Sequence, residues 1–115
     1  MTAVRKDFTI KEARDVTLTF TVVADEGQVI TDSEIDFWMA RHVGSTTPLM
    51  TKFIGAGVAI TGALAFNVEI ESEDSEGMEG IYYYEVRVQS PAGHRVTSNY
   101  GYITVEESLI GGSSE

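Results

Sequence analysis

Along most of this chain apolar and polar side chains alternate one by one. Val16, Leu18, Phe20 and Val22 are separated by Thr17, Thr19 and Thr21. Ile35, Phe37 and Met39 alternate with Asp36, Trp38 and Ala40. Leu64, Phe66, Val68 and Ile70 alternate with Ala65, Asn67 and Glu69, and Tyr82, Tyr84, Val86 and Val88 with Tyr83, Glu85, Arg87 and Gln89. A period of two sends every second side chain to one face, which is the signature of half-buried antiparallel strands. No segment carries a sustained apolar stripe at helical spacing, and at most a single helical turn fits within Ser72–Met78. Turn residues separate the runs: Asp25-Glu26-Gly27, Gly55-Ala56-Gly57, Thr61-Gly62, Ser75-Glu76-Gly77 and Ser90-Pro91-Ala92-Gly93. The last lies between two β-rich stretches and reads as a hairpin. The pattern predicts seven to eight strands, near 7–10, 16–23, 35–41, 49–54, 58–60, 63–70, 81–89 and 95–105. Short strands at this spacing without helices predict an all-β antiparallel sandwich. One domain over residues 1–107 is expected, with a loose tail over 108–115 that includes Leu109-Ile110.

Composition narrows the function classes. The chain has 115 residues, a length for one domain that buries roughly two-thirds of its unfolded surface. It has no cysteine, which excludes disulfides, thiolate zinc sites and a cysteine nucleophile. Eight Lys and Arg stand against eighteen Asp and Glu, for a net charge of −10. Such a charge repels nucleic acid and anionic membranes, so neither is an expected partner. The N-terminus lacks the apolar core of a secretory signal, so synthesis in a cytoplasm is expected. The charge is uneven. Residues 1–52 hold six basic and eight acidic side chains, whereas residues 53–115 hold two and ten. Six of those acids fall within Glu69–Glu79.

Two stretches resemble the immunoglobulin-like sandwich. In Glu79-Gly80-Ile81-Tyr82-Tyr83-Tyr84 a Gly-x-Tyr pattern opens a strand as it does in strand F of that fold. The resemblance implies that Tyr82 closes a tyrosine corner and that Tyr84 stands where antibodies place a cysteine. Strand 35–41 takes the place of strand C, but Trp38 has the parity opposite to Ile35, Phe37 and Met39 and is expected to point away from the core. The wider layout adds Thr17-Leu18-Thr19-Phe20, Asp25-Glu26-Gly27-Gln28-Val29-Ile30-Thr31-Asp32, and Thr97 before Gly101-Tyr102-Ile103-Thr104-Val105. Over residues 6–106 it resembles the small β-sandwich domains of tailed-phage structural proteins, and among them the N-terminal adaptor domain of the phage upper baseplate protein family. This resemblance implies a virion structural role in a baseplate, tail, neck or capsid. Other virion proteins are then the partners, the virion is the location, and assembly is as a homo-oligomer.

Candidate chemistry is sparse. His42 follows strand 35–41 and His94 lies in the far hairpin, and strand 35–41 and the hairpin tip can approach each other at one end. Neither has a paired acid or serine motif, so solvated loop histidines are the plainer reading. No nucleophile elbow, zinc-protease, P-loop or dinucleotide fingerprint occurs. An enzyme is not expected, nor are a cofactor, a metal or catalytic residues. In Glu69-x-Glu71-x-Glu73-Asp74-Ser75-Glu76-Gly77 oxygen ligands alternate beside a glycine, which is calcium chemistry. Glu76 occupies the place of the EF-hand glycine, and a solvated acidic loop is the plainer reading. If the strand continued, Glu69, Glu71 and Glu73 would share a face.

The outward aromatic residues point to binding. Parity sends Trp38, Tyr83, Tyr102 and Tyr100 to one outer face, where Trp38, Tyr83 and Tyr102 are expected side by side. Trp and Tyr dominate interface hot spots. The expectation is a non-enzymatic adaptor or decoration module that docks by this face. A carbohydrate-binding β-sandwich module is the alternative, because aromatic faces flanked by carboxylates also stack on sugars. The N-terminal segment Thr2–Ile10 can pair within its own sandwich or with a neighbour.

Overall fold

The computed structural model describes residues 2–25 and 27–107, so the tail over 108–115 lies outside the described residues. The strands are β1 (Val4–Arg5), β2 (Phe8–Lys11), β3 (Val16–Thr21), β4 (Glu34–Ala40), β5 (Met50–Ile54), β6 (Gly57–Gly62), β7 (Ala65–Ile70), β8 (Gly80–Gln89) and β9 (Arg95–Glu106). One helical turn, α1 (Ser72–Ser75), lies between β7 and β8. Hydrogen bonding runs in the order β1-β9-β8-β4-β5-β6-β7-β3, with β2 also on β9. This continuous ribbon folds over at β5 and β6, which meet at only two residue pairs across the Gly55–Ala56 turn. One layer is then β2, β9, β8, β4 and β5, and the other is β6, β7 and β3. The result is an all-β immunoglobulin-like sandwich.

Alternation explains the core. Leu18 and Phe20 of β3, Phe66, Val68 and Ile70 of β7, Ile35, Phe37 and Met39 of β4, and Tyr82, Tyr84, Val86 and Val88 of β8 are buried. Phe20 stacks on Phe66 at 5.0 Å between ring centroids and reaches across the layers to Tyr84 at 5.7 Å. Phe37 stacks on Tyr84 at 5.7 Å. Aromatic packing therefore fills the centre of a core that holds no disulfide. The Tyr82 hydroxyl donates to the Glu79 carbonyl at 3.1 Å and closes the corner that the Gly-x-Tyr pattern implies.

Tyr84 does more than fill space. Its hydroxyl donates to the carbonyl of Lys6, between β1 and β2. Burial, then the nearby Asp7 charge, push its phenol pKa upward. Opposite Tyr84 in the β8–β9 register stands Gly101. A Cβ there would lie 2.3 Å from the Lys6 carbonyl oxygen, so only glycine lets the N-terminal segment approach.

Two sequence expectations change. The single N-terminal strand becomes two, because the Asp7 side chain accepts from the Tyr102 amide at 3.0 Å and interrupts the ladder. The Arg5 side chain and then that amide hold the Asp7 carboxyl below its ordinary range. Both short strands run parallel to β9 of the same chain, so the described residues form nine strands rather than seven or eight. Leu64, expected inside, is 37% exposed because Ala63–Leu64 forms the β6–β7 turn. As expected, the strand ends at Ile70 and the one helical turn of the acidic stretch falls within Ser72–Met78. Asp74 accepts from the Glu71 amide at 2.7 Å, which caps α1 and turns the chain.

Candidate functional site

The layer holding β4, β8 and β9 presents its outer face in three rows. Tyr102 and Tyr83 are paired in the first, Tyr100, Glu85, Trp38 and Thr51 in the second, and Arg87, Asp36 and Phe53 in the third. The structure therefore brings together only part of the expected aromatic set. Tyr83 and Tyr102 meet edge to face at 5.7 Å. Trp38 lies one row away, across from Glu85, and forms no ring pair with any described residue.

The tyrosines are largely occupied by their own chain. Tyr83 is only 9% exposed, and its hydroxyl donates to Glu85 at 2.9 Å. Burial, then this hydrogen bond, push its phenol up to about 12. Arg5 of β1 lies over the Tyr102 ring, 5.4 Å from its centroid. Tyr100 is half-buried beside Arg5 and Glu85. Tyr102 stays 36% exposed, so this row is partly covered by its own chain.

The other end of the face is open. Asp36, Trp38, Thr51, Phe53, Glu85 and Arg87 line a depression of about 330 Å³. Trp38 is half-buried, and Phe53 is 53% exposed. Asp36 stands directly across from Arg87, yet neither side chain forms a hydrogen bond or ion pair with a described residue. Sequence reasoning missed Phe53. Its signal was the inward Met50, which sends Thr51 and Phe53 outward together. Lys52 points the other way and binds Asp74 at 2.6 Å.

The remaining candidates do not converge. His42 follows Ala40, which pairs with Tyr83, whereas His94 closes the hairpin beyond the Glu34–Gln89 pair. The antiparallel register thus brings the hairpin tip beside the start of β4 and puts the two histidines at opposite ends of the sandwich. The acidic stretch is engaged by its own chain: Glu69 accepts from Thr17, and Asp74 from Lys52. Burial alone would raise the Asp74 carboxyl, but Lys52 and the Glu71 amide outweigh it and hold it below its ordinary range. Glu71 moves the opposite way, raised by its hydrogen bond with Glu73. No three metal-ligating side chains converge among the described residues. No helix among them is long and apolar enough to cross a membrane.

Comparison with protein-family profiles and with curated protein sequences finds no match. Solved structures do match. A glycoside hydrolase-like protein from Bacteroides vulgatus ATCC 8482 aligns over 90% of this chain with TM-score 0.53 and 13% identity. This chain spans only 17% of that protein's length, so the likeness concerns the fold of one domain. Murine CRIg aligns over 89% of this chain and 92% of its own with TM-score 0.42 and 14% identity. The NK cell receptor NKp44, described as a triggering partner in natural cytotoxicity, aligns over 88% of this chain and 97% of its own with TM-score 0.47 and 11% identity. At 13% identity the first of these shows shared architecture alone, and the site itself must carry any argument about function.

Proposed function

We propose that this chain is a non-enzymatic docking module that binds another protein through the outer face of β5, β4 and β8. The observation that carries the reading is the open depression in which Trp38 and Phe53 face solvent beside the unpaired Asp36 and Arg87. A half-buried indole beside an exposed phenyl ring on a rigid sheet is the composition of an interface hot spot. Hydrogen-bonded strands fix these side chains before a partner arrives, which lowers the ordering cost of binding. In the setting that the sequence resemblance implies, the partner is another structural protein of a phage virion and the module works as an adaptor or decoration, in homo-oligomeric form.

The test is a Trp38→Ser/Phe53→Ser double variant expressed in the source genome, with incorporation into native assemblies measured. Loss of incorporation with unchanged thermal unfolding supports docking through this face. Unchanged incorporation contradicts it. A carbohydrate ligand is the second reading, favoured by the same pairing of an indole with carboxylates. A glycan array read by Trp38 fluorescence separates the two, because the chain has one tryptophan.

A further inference from the structure

Resting on that docking reading, we infer that the depression takes a basic side chain, arginine or lysine, from an extended segment of the protein partner. The first argument is a contrast within the chain. Arg5 covers Tyr102 at 5.4 Å, Lys6 covers Phe8 at 5.2 Å, and Arg41 covers Tyr82 at 5.1 Å. Trp38 and Phe53 have no such cation among the described residues. Indole is the strongest cation-binding ring of the aromatic side chains, and here it is left open.

The second argument is charge. Along β4, Glu34 and Asp36 share the outward parity of Trp38, and Glu85 stands across from it on β8. Within the depression Asp36 and Glu85 thus face one free guanidinium, Arg87, while Lys52, which also lines it, is spent on Asp74. The Asp36 side chain forms no ion pair or hydrogen bond with any described residue, and Glu85 accepts from Tyr83 through Oε2 alone. The whole chain carries −10, so its long-range field favours a cationic over an anionic partner. The third argument is size. At about 330 Å³ the depression exceeds one side chain and is too small for a folded element, which fits one anchor residue on an extended strand.

The experiment is an NMR titration of the full chain, read at the indole N–H of its one tryptophan and at the amides of Asp36, Thr51 and Arg87. The probes are a blocked Gly-Arg-Gly peptide, its citrulline counterpart, and a neutral oligosaccharide. The arginine peptide is expected to shift these signals saturably and the citrulline peptide to bind at least about fivefold more weakly, as loss of a cation–π contact implies. Asp36→Asn is expected to weaken the arginine peptide about threefold or more while the fold is retained, and 0.5 M salt to weaken it similarly. Equal binding of both peptides, salt-insensitive binding, binding of the oligosaccharide alone, or no response each overturns the inference. If any of these occurs while the Trp38→Ser/Phe53→Ser variant still fails to incorporate, the docking reading survives and only the basic anchor is wrong.

Discussion

Replacing Tyr84 by phenylalanine isolates one side-chain hydrogen bond among those that tie the N-terminal segment to the sandwich. The ring contacts with Phe8, Phe20 and Phe37 remain, at centroid distances of 5.9, 5.7 and 5.7 Å. Only the hydroxyl is lost, and with it the bond to the Lys6 carbonyl. A buried acceptor stripped of its donor costs about 1–3 kcal/mol, against about 1 kcal/mol for an average hydrogen bond. For a domain of this size each kcal/mol lowers the midpoint by roughly 4–5 °C, so a fall of about 5–15 °C is expected. Gly101→Ala strikes the same carbonyl from the other side, since its Cβ would lie 2.3 Å from that oxygen. Overpacking of this kind costs about 1–3 kcal/mol. Because both changes displace one group, the double variant is expected to lose clearly less than the sum. Urea unfolding of the four proteins measures the cycle. A Tyr84→Phe loss under about 0.3 kcal/mol, or strict additivity with Gly101→Ala, refutes the idea that this bond pins the segment.

Further expectations are independent of that cycle. Tyr82→Phe removes the corner bond to Glu79 and is expected to cost about 1 kcal/mol in urea unfolding. The Asp74 carboxyl is depressed in the folded chain, so its stabilising contribution is present above the unfolded value of 3.8 and is lost as pH falls through the lower folded value. Asp74→Asn should therefore destabilise at pH 7 by about 1–3 kcal/mol and flatten the decline of stability below pH ~4, followed by acid-range unfolding. The Tyr83 phenol is raised from 10.0 to about 12, so the unfolded chain ionises first on raising the pH. Stability should fall between those two values, and Glu85→Gln should lower the Tyr83 midpoint in an ultraviolet phenolate titration.

How far the sequence discloses this molecule depends on the kind of feature. Strict alternation revealed the inward faces of β3, β4 and β8, because a buried face tolerates no slip in parity. Gly80 and Tyr82 disclosed the corner, and the parity of Trp38 disclosed its outward direction. Parity states where a side chain points but not what covers it. Tyr83 does point outward, yet Tyr102 and Glu85 enclose it. Lys52 and Phe53 invert the usual rule in adjacent positions, because Asp74 receives the inward ammonium near the point where the ribbon folds over. That carboxylate arrives from a turn 22 residues later, which local pattern cannot anticipate. The split between β1 and β2 is similarly non-local, set by Asp7 bonding to Tyr102.

The most direct measurement of the docking claim is site-specific photo-crosslinking of the folded chain in its native assembly. A photoreactive residue replaces Thr51, an exposed position at the rim of the depression, and in a control replaces Thr19, exposed on β3 of the opposite layer. The account predicts one discrete protein adduct from position 51, suppressed by Trp38→Ser, and none from position 19. Adducts from position 19 alone, or none from either in an assembly that retains the chain, contradict it.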